Sequence, residues 1–244
     1  MRSGNPVLKD TTFKQPFDVA GERMTLPGTV NKTAMLLAMT VITAAYTWGR
    51  FMQTGDPASV SGLLMIGLIG GLIVAMITVF RPTAAPYTAP AYALLEGLAL
   101  GGISAMVETR FPGIVIQAVA LTFGTLFCLL IAYRSGLIKA TENFKLGVVA
   151  ATGGIMLLYV VSFVMGFFGR SIGFIHEGGT FGILFSAFVV VIAALNLVLD
   201  FDFIESGVEQ GAPKYMEWYG AFGLMVTLIW LYLEILRLLS KSRE

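Results

Sequence analysis

The sequence has little of what most enzymes and small secreted domains rely on. It holds one cysteine, Cys128, and one histidine, His176, in 244 residues. A lone cysteine excludes a disulfide framework and a cysteine-rich metal site. His176-Glu177 has no second histidine to complete a metalloprotease motif. No Ser-His-Asp set, no Gly-x-Ser-x-Gly turn and no phosphate-binding glycine loop is visible, so the chain is not expected to be an enzyme. Charge is also scarce. Charged residues make up 13% of the chain, where soluble domains carry about 25%. The 16 Lys+Arg against 15 Asp+Glu leave a net charge of +1, which provides no basic field for nucleic acid.

What is abundant is apolar. The chain is 56% hydrophobic with a mean hydropathy of +0.80, more than one water-facing globule of this length can bury. A spanning helix needs about 20 mostly apolar residues. Seven segments qualify: Thr33–Gln53, Ser61–Phe80, Tyr87–Val107, Gly113–Tyr133, Gly147–Phe168, Gly182–Phe201 and Tyr219–Leu239. Short connections with glycine and proline punctuation, such as Gly55-Asp56-Pro57 and Gly211-Ala212-Pro213, separate them. The expected fold class is an all-α integral membrane protein with seven transmembrane helices, in one membrane domain over residues 33–244.

Residues 1–32 are polar and hold three prolines. They lack the apolar core and cleavage site of a signal peptide, so the tail is expected to be retained and disordered. A partner-binding tail and a plain solvated terminus both fit. With seven spans and the N-terminus inside, ten lysines and arginines fall inside and six outside. If the last segment only dipped into the membrane and returned, the division would be thirteen to three. Both counts place the N-terminus inside; segment length favours a full seventh crossing.

Helix contacts in lipid collect small and polar residues, and helical spacing picks out such stripes. The sixth span gives Gly182, Ser186, Val189, Ala193, Asn196 and Asp200. The seventh gives Gly220, Gly223, Thr227, Trp230 and Glu234. The second gives Gly67, Gly71, Val74, Thr78 and Arg81. In the third, Glu96 sits beside Ala93, Gly97, Gly101 and Ser104. The stripes suggest that Asp200, Glu234 and Arg81 look inward. Asp202 points about 200° away from Asp200 and joins Glu205 and Glu209 on an acidic face, either a solvated surface or an ion-collecting vestibule.

An ionised carboxylate at a helix centre costs about 2.5–3.5 kcal/mol. Neutralising a glutamate of ordinary pKa at pH 7 costs roughly 3.7 kcal/mol. The two are similar, so such a group changes protonation with modest changes in surroundings. If Asp200 and Glu234 approached each other, one would hold its proton more tightly, and Arg81 would oppose that. An Arg81–Asp200 pair could close a polar path from the inner side or act as a static tie between helices.

Leu197-Val-Leu-Asp200-Phe-Asp-Phe-Ile204, Leu231-Tyr-Leu-Glu-Ile-Leu-Arg-Leu-Leu239 and Tyr92-Ala-Leu-Leu-Glu-Gly-Leu-Ala-Leu-Gly-Gly-Ile-Ser104 resemble three helices of the Bax inhibitor-1 family, which carries the transmembrane Bax-inhibitor motif. The resemblance implies a seven-helix bundle wrapped around its last helix. It also implies similarity to a pH-sensitive calcium leak of the bacterial inner membrane, whose sensor is a carboxylate pair and whose latch is an arginine. Here those would be Asp200, Glu234 and, by position, Arg81, with Glu96, Asn196 and Asp202 as supporting polar groups. Calcium would be a permeant or bound ion touching Asp200 and Glu234; no other cofactor is implied. The partners would be lipid, cations, protons and, as in some bacterial relatives, a membrane protease. The sequence departs from the family in placing Glu234 where an aspartate is usual and in a longer segment between the two acids. Their positions in the apolar runs differ by roughly 20 Å in depth, a gap that a sixth helix continuing to Glu209 would reduce. A proton-coupled transporter and a tail-binding membrane regulator are the alternative functions.

Overall fold

The computed structural model describes residues 22–168 and 179–243. The tail up to residue 21 and the connection holding His176-Glu177 and Gly178 lie outside them. Among the described residues every long element is an α-helix: α1 (Leu26–Thr54), α2 (Ala58–Phe80), α3 (Ala85–Arg110), α4 (Ile114–Arg134), α5 (Glu142–Phe167), α6 (Thr180–Glu209) and α7 (Met216–Lys241). A 3-10 turn, Pro82–Ala84, leads into α3. Each predicted segment falls on one of these helices, with Gly113 and Phe168 just outside α4 and α5 as their caps. α6 reaches Glu209 as the acidic extension implies. Gly55 closes α1 in the left-handed conformation at φ 63°, which favours a residue without Cβ.

Six of the seven helices, α2 to α7, are long and apolar enough to cross a membrane. α1 is not among them, which corrects the expectation of seven qualifying spans. The reason is its composition. α1 carries Thr29, Thr33, Thr40, Thr43, Thr47 and Thr54, together with Asn31, Lys32 and Arg50. Each threonine hydroxyl donates to the carbonyl four residues back, at 3.0–3.3 Å. The polar groups are thereby satisfied within the helix, although the hydropathy of their residue type remains low.

α1 also begins seven residues before the predicted start at Thr33. Thr25 caps it, its side chain accepting from the Gly28 N–H. Part of the expected tail is therefore ordered structure. Met24 N donates to Ala212 O at 2.7 Å and Lys214 N to Glu22 O at 2.9 Å, tying residues 22–24 to the turn that precedes α7.

The chain forms two compact units, and α6 and α7 contribute to both. One contains residues 22–112 and Ile204–Met225. Its organising element is α3, packed between α1 and α2 through glycine. A Cβ on Gly97 would meet Thr40 O at 2.3 Å, and one on Gly101 would meet Ala44 O at 2.2 Å. On α2, a Cβ on Gly67 would meet Leu95 O at 2.6 Å and Ala99 N at 2.7 Å. Such approaches are what small-residue stripes permit between helices in lipid. Thr40 Oγ1 also reaches Ala93 O at 3.2 Å across the α1–α3 contact.

The second unit contains residues 113–203 as far as described, with 226–243. Its core gathers Ile155, Val189 and Ile192 with Tyr159, Phe185 and Trp230 packed against them. Within it α5, α6 and α7 meet. Of the six apolar helices α7 is the most buried, with 67% of its apolar window inside the protein against 17% for α2 and α5.

Candidate functional site

The acid on α7 is held by two neighbours. Glu234 is 2% exposed. Its Oε1 accepts from the Tyr159 hydroxyl at 3.0 Å and from Arg237 Nη1 at 3.0 Å, and its Oε2 from the same nitrogen at 3.1 Å. Arg237 Nη1 also donates to the Tyr159 oxygen at 2.7 Å, and the guanidinium lies 5.2 Å from the Tyr159 ring centroid. Position explains this. Arg237 follows Glu234 by three residues, so it stands on the same helix face, and α5 brings Tyr159 to that face through the Phe185 and Trp230 cluster. The Glu234 side chain is 3% exposed and that of Arg237 is 42% exposed. The arginine therefore stands partly exposed with its guanidinium turned to the buried carboxylate.

The α6 acids diverge. Asp200 is fully buried on the stripe of Ser186 and Asn196. Asn196 Nδ2 donates to Thr152 Oγ1 on α5 at 2.8 Å and to Ile192 O at 2.8 Å. Asp202 instead takes Lys145 Nζ at 2.8 Å, and that lysine, itself buried, lies 3.6 Å from Glu142. Asp202 thus leaves the acidic face expected for it and ties α6 to the first turn of α5, while Glu205 and Glu209 remain exposed.

Trp230 packs against the cluster of Ile155, Val189 and Ile192, and Lys241 Nζ donates to Gly182 O at 3.2 Å. The side chains bonded to Glu234 in this arrangement are Tyr159 and Arg237. Arg81, expected as the latch, is exposed at the end of α2, where its backbone N–H donates to Ile77 O. No ion pair involves its side chain among the described residues.

Glu96 belongs to the other unit. Its Oε2 would lie 3.0 Å from a Cβ on Gly71, so the glycine of α2 makes room for the carboxylate. Tyr92, one turn earlier on α3, stands edge-on to Phe222 of α7 at 5.0 Å between ring centroids.

A second buried acid escaped sequence reasoning. Glu217, in the first turn of α7, is fully buried. Its Oε1 accepts from Thr25 N at 2.9 Å and Thr25 Oγ1 at 2.8 Å. Its Oε2 is paired with Lys32, and Lys214 Nζ stands 3.3 Å from Oε1. Lys32 also lies over the Trp218 ring. The available signal was an acid at a helix start together with a lysine inside a helix-capping sequence. Tyr159 and Arg237 were missed as well. Arg237 could have been found from its three-residue spacing to Glu234, whereas nothing local marks Tyr159.

Among the described residues no three His, Cys, Asp or Glu side chains come together as metal ligands. The acids are dispersed over several helices, Glu234 with Tyr159 and Arg237, Asp202 with Lys145, and Glu217 with Thr25 and Lys32. No curated protein and no solved structure matches the chain. The model of the Bax inhibitor 1 like family matches residues 5–244, nearly the whole length. With that match and six apolar helices of spanning length, the chain belongs to the Bax inhibitor 1 like family and is an integral membrane protein.

Proposed function

We propose that this protein is a pH-sensitive cation leak, calcium being the ion of choice, in a bacterial inner membrane with the N-terminus inside. The observation that carries the reading is the buried carboxylate Glu234 bound to the partly exposed Arg237. Ionised, Glu234 holds Arg237 and Tyr159 around itself. Protonated, it loses the charge that fixes the guanidinium, and the contact between α5 and α7 loosens. The groups that face it among the described residues are Tyr159 from α5 and Trp230, Arg237 and Lys241 from α7. Acidification then favours the open state. Asp200 is a second, separate acid on the pathway, fully buried on α6.

α1 serves as the seventh span in this reading. Its 29 residues exceed the length required, its threonines are bonded within the helix, and it packs along α3. Arg81 keeps the second-helix position at which the family resemblance implies a latch, while the cation that Glu234 holds is Arg237.

Calcium flux into liposomes tests the reading. The unsubstituted protein should leak, faster at lower pH, and Glu234→Gln and Asp200→Asn should each change the leak. A leak and pH response unaltered in both variants would remove the basis of the proposal. Counterflow of a second solute would make it a proton-coupled transporter instead.

A further inference from the structure

α1 begins with a cap that its own sequence leaves incomplete. Thr25 precedes the first turn, and its hydroxyl accepts from the Gly28 N–H at 3.1 Å. In a capping box the third helical residue is Glu or Gln, whose side chain reaches back to the N–H of the capping residue. Here the third residue is Gly28, which has no side chain, and the first turn of α1 holds no acid. The Thr25 N–H is taken instead by Glu217 of α7. Its Oε1 accepts from that N–H at 2.9 Å and from the Thr25 hydroxyl at 2.8 Å.

The carboxylate stands where the missing side chain would begin. A Cβ on Gly28 would lie 2.2 Å from Oε1, 2.3 Å from Cδ and 2.4 Å from Oε2. α7 thus completes the capping box of α1 from outside. Lys32, one turn beyond Gly28 on the same face, pairs with Oε2, and Lys214 stands 3.3 Å from Oε1. Beside them Arg23 and Pro213 form an antiparallel bridge. A glutamate in place of Gly28 would satisfy the same N–H and leave α7 free. With glycine there, the cap exists only while the starts of α1 and α7 touch. Parting them costs the buried carboxylate its bonds to Thr25 and Lys32 at once.

We infer that Glu217 is a latch between α1 and α7. It caps α1 from α7, and its release frees the start of the helix that carries Glu234. That the latch holds the leak down rests on the function proposed above; that it ties the two helices does not. Thr25 and Lys32 hold it on the α1 side. Lys214, in the turn before α7, stays with Glu217 when the latch opens, so the open carboxylate keeps a counter-charge.

Moving the cap separates a latch from a plain anchor. In Glu217→Ala the cap and the ion pair are both lost. In Glu217→Ala with Gly28→Glu the new carboxylate caps Thr25 within α1 and meets Lys32 at four-residue spacing. Only the tie to α7 is then missing. Hydrogen exchange of the peptide containing residues 24–29 reports the cap. Exchange should be about ten-fold faster in Glu217→Ala, as loss of a cap implies, and should return to the unsubstituted rate in the double variant. A double variant that stays fast would overturn the cap. Spin labels at Val30→Cys and Tyr215→Cys, in a Cys128→Ser background, report the tie. The spread of distances between them should be about two-fold wider in the double variant, and an unchanged spread would overturn the latch. Calcium leak into liposomes at one fixed pH should rise about three-fold in the double variant. A widened spread with an unaltered leak would overturn the latch's hold on the leak. No leak from any of these proteins would sink the function proposed above and leave the tie, which the labels measure. Should Glu217→Ala fail to fold, the double variant compared with the unsubstituted protein gives all three readings.

Discussion

Arg237 and Glu234 form a buried-to-outside ion pair within one turn of α7, at 3.0 Å, with the carboxylate 3% exposed and the arginine 42%. The pair is completed by a tyrosine from another helix. Tyr159 bonds both members, so the pair adds polar bonds to the apolar contact between α5 and α7.

Removing the cation should therefore act differently from removing the acid. In Arg237→Gln the buried carboxylate loses its counter-charge, and Tyr159 loses the bond it accepts from Arg237. The calcium leak should then turn on at a higher pH than in the unsubstituted protein. Liposome flux recorded over a series of pH values checks this.

The neighbouring aspartates should separate cleanly. Asp202 is tied to Lys145 at 2.8 Å and is a structural anchor of α5. Asp202→Asn should lower thermal stability in detergent by about 1–3 kcal/mol and leave the pH profile of the leak in place. Asp200→Asn should alter the leak itself. Melting and flux measured on both variants distinguish the roles.

Glu217 anchors the start of α1. Breaking a buried ion pair by removing one partner costs about 3–5 kcal/mol; in Lys32→Met the carboxylate keeps Lys214 and Thr25, so the variant should destabilise by less than that range. Gly28→Ala should act on the same anchor, because its Cβ would stand 2.2 Å from Glu217 Oε1. Thermal melting in detergent, followed by tryptophan fluorescence because Trp218 adjoins Lys32, reports both.

The α1–α3 contact should be intolerant of added volume. Gly101→Leu places a large side chain where even a Cβ would meet Ala44 O at 2.2 Å. Overpacking costs about 1–3 kcal/mol or more, here at a backbone that cannot move aside. Gly124→Leu on α4, where a Cβ meets nothing within 4 Å, should be tolerated. Yield and melting temperature of the two variants make the comparison.

The spans were readable because lipid imposes a long apolar run on each helix, and the inward faces because glycine stripes have few other uses there. Gly67, Gly97 and Gly101 stand at close helix contacts as their spacing suggested. α1 is less apolar than the other six because of its threonines, Lys32 and Arg50, and that its hydroxyls are bonded within the helix is geometry that composition does not record. Whether Asp200 stands level with Glu234 was beyond the sequence for a different reason. Which residues of two antiparallel helices stand level is decided by side-chain packing, here of Trp230 against the cluster of Ile155, Val189 and Ile192, and periodicity along one helix contains no register with another. Arg237 was legible at three-residue spacing; Tyr159, eighty residues or so earlier on α5, was not.

The central claim is that protonation of Glu234 controls the leak. Calcium entry into liposomes, measured over a series of pH values for the unsubstituted protein and for Glu234→Gln, tests it most directly. The account predicts a leak that rises as pH falls in the former and one that is high and nearly independent of pH in the latter. A Glu234→Gln leak that still rises with acidification, as the unsubstituted protein's does, would contradict it.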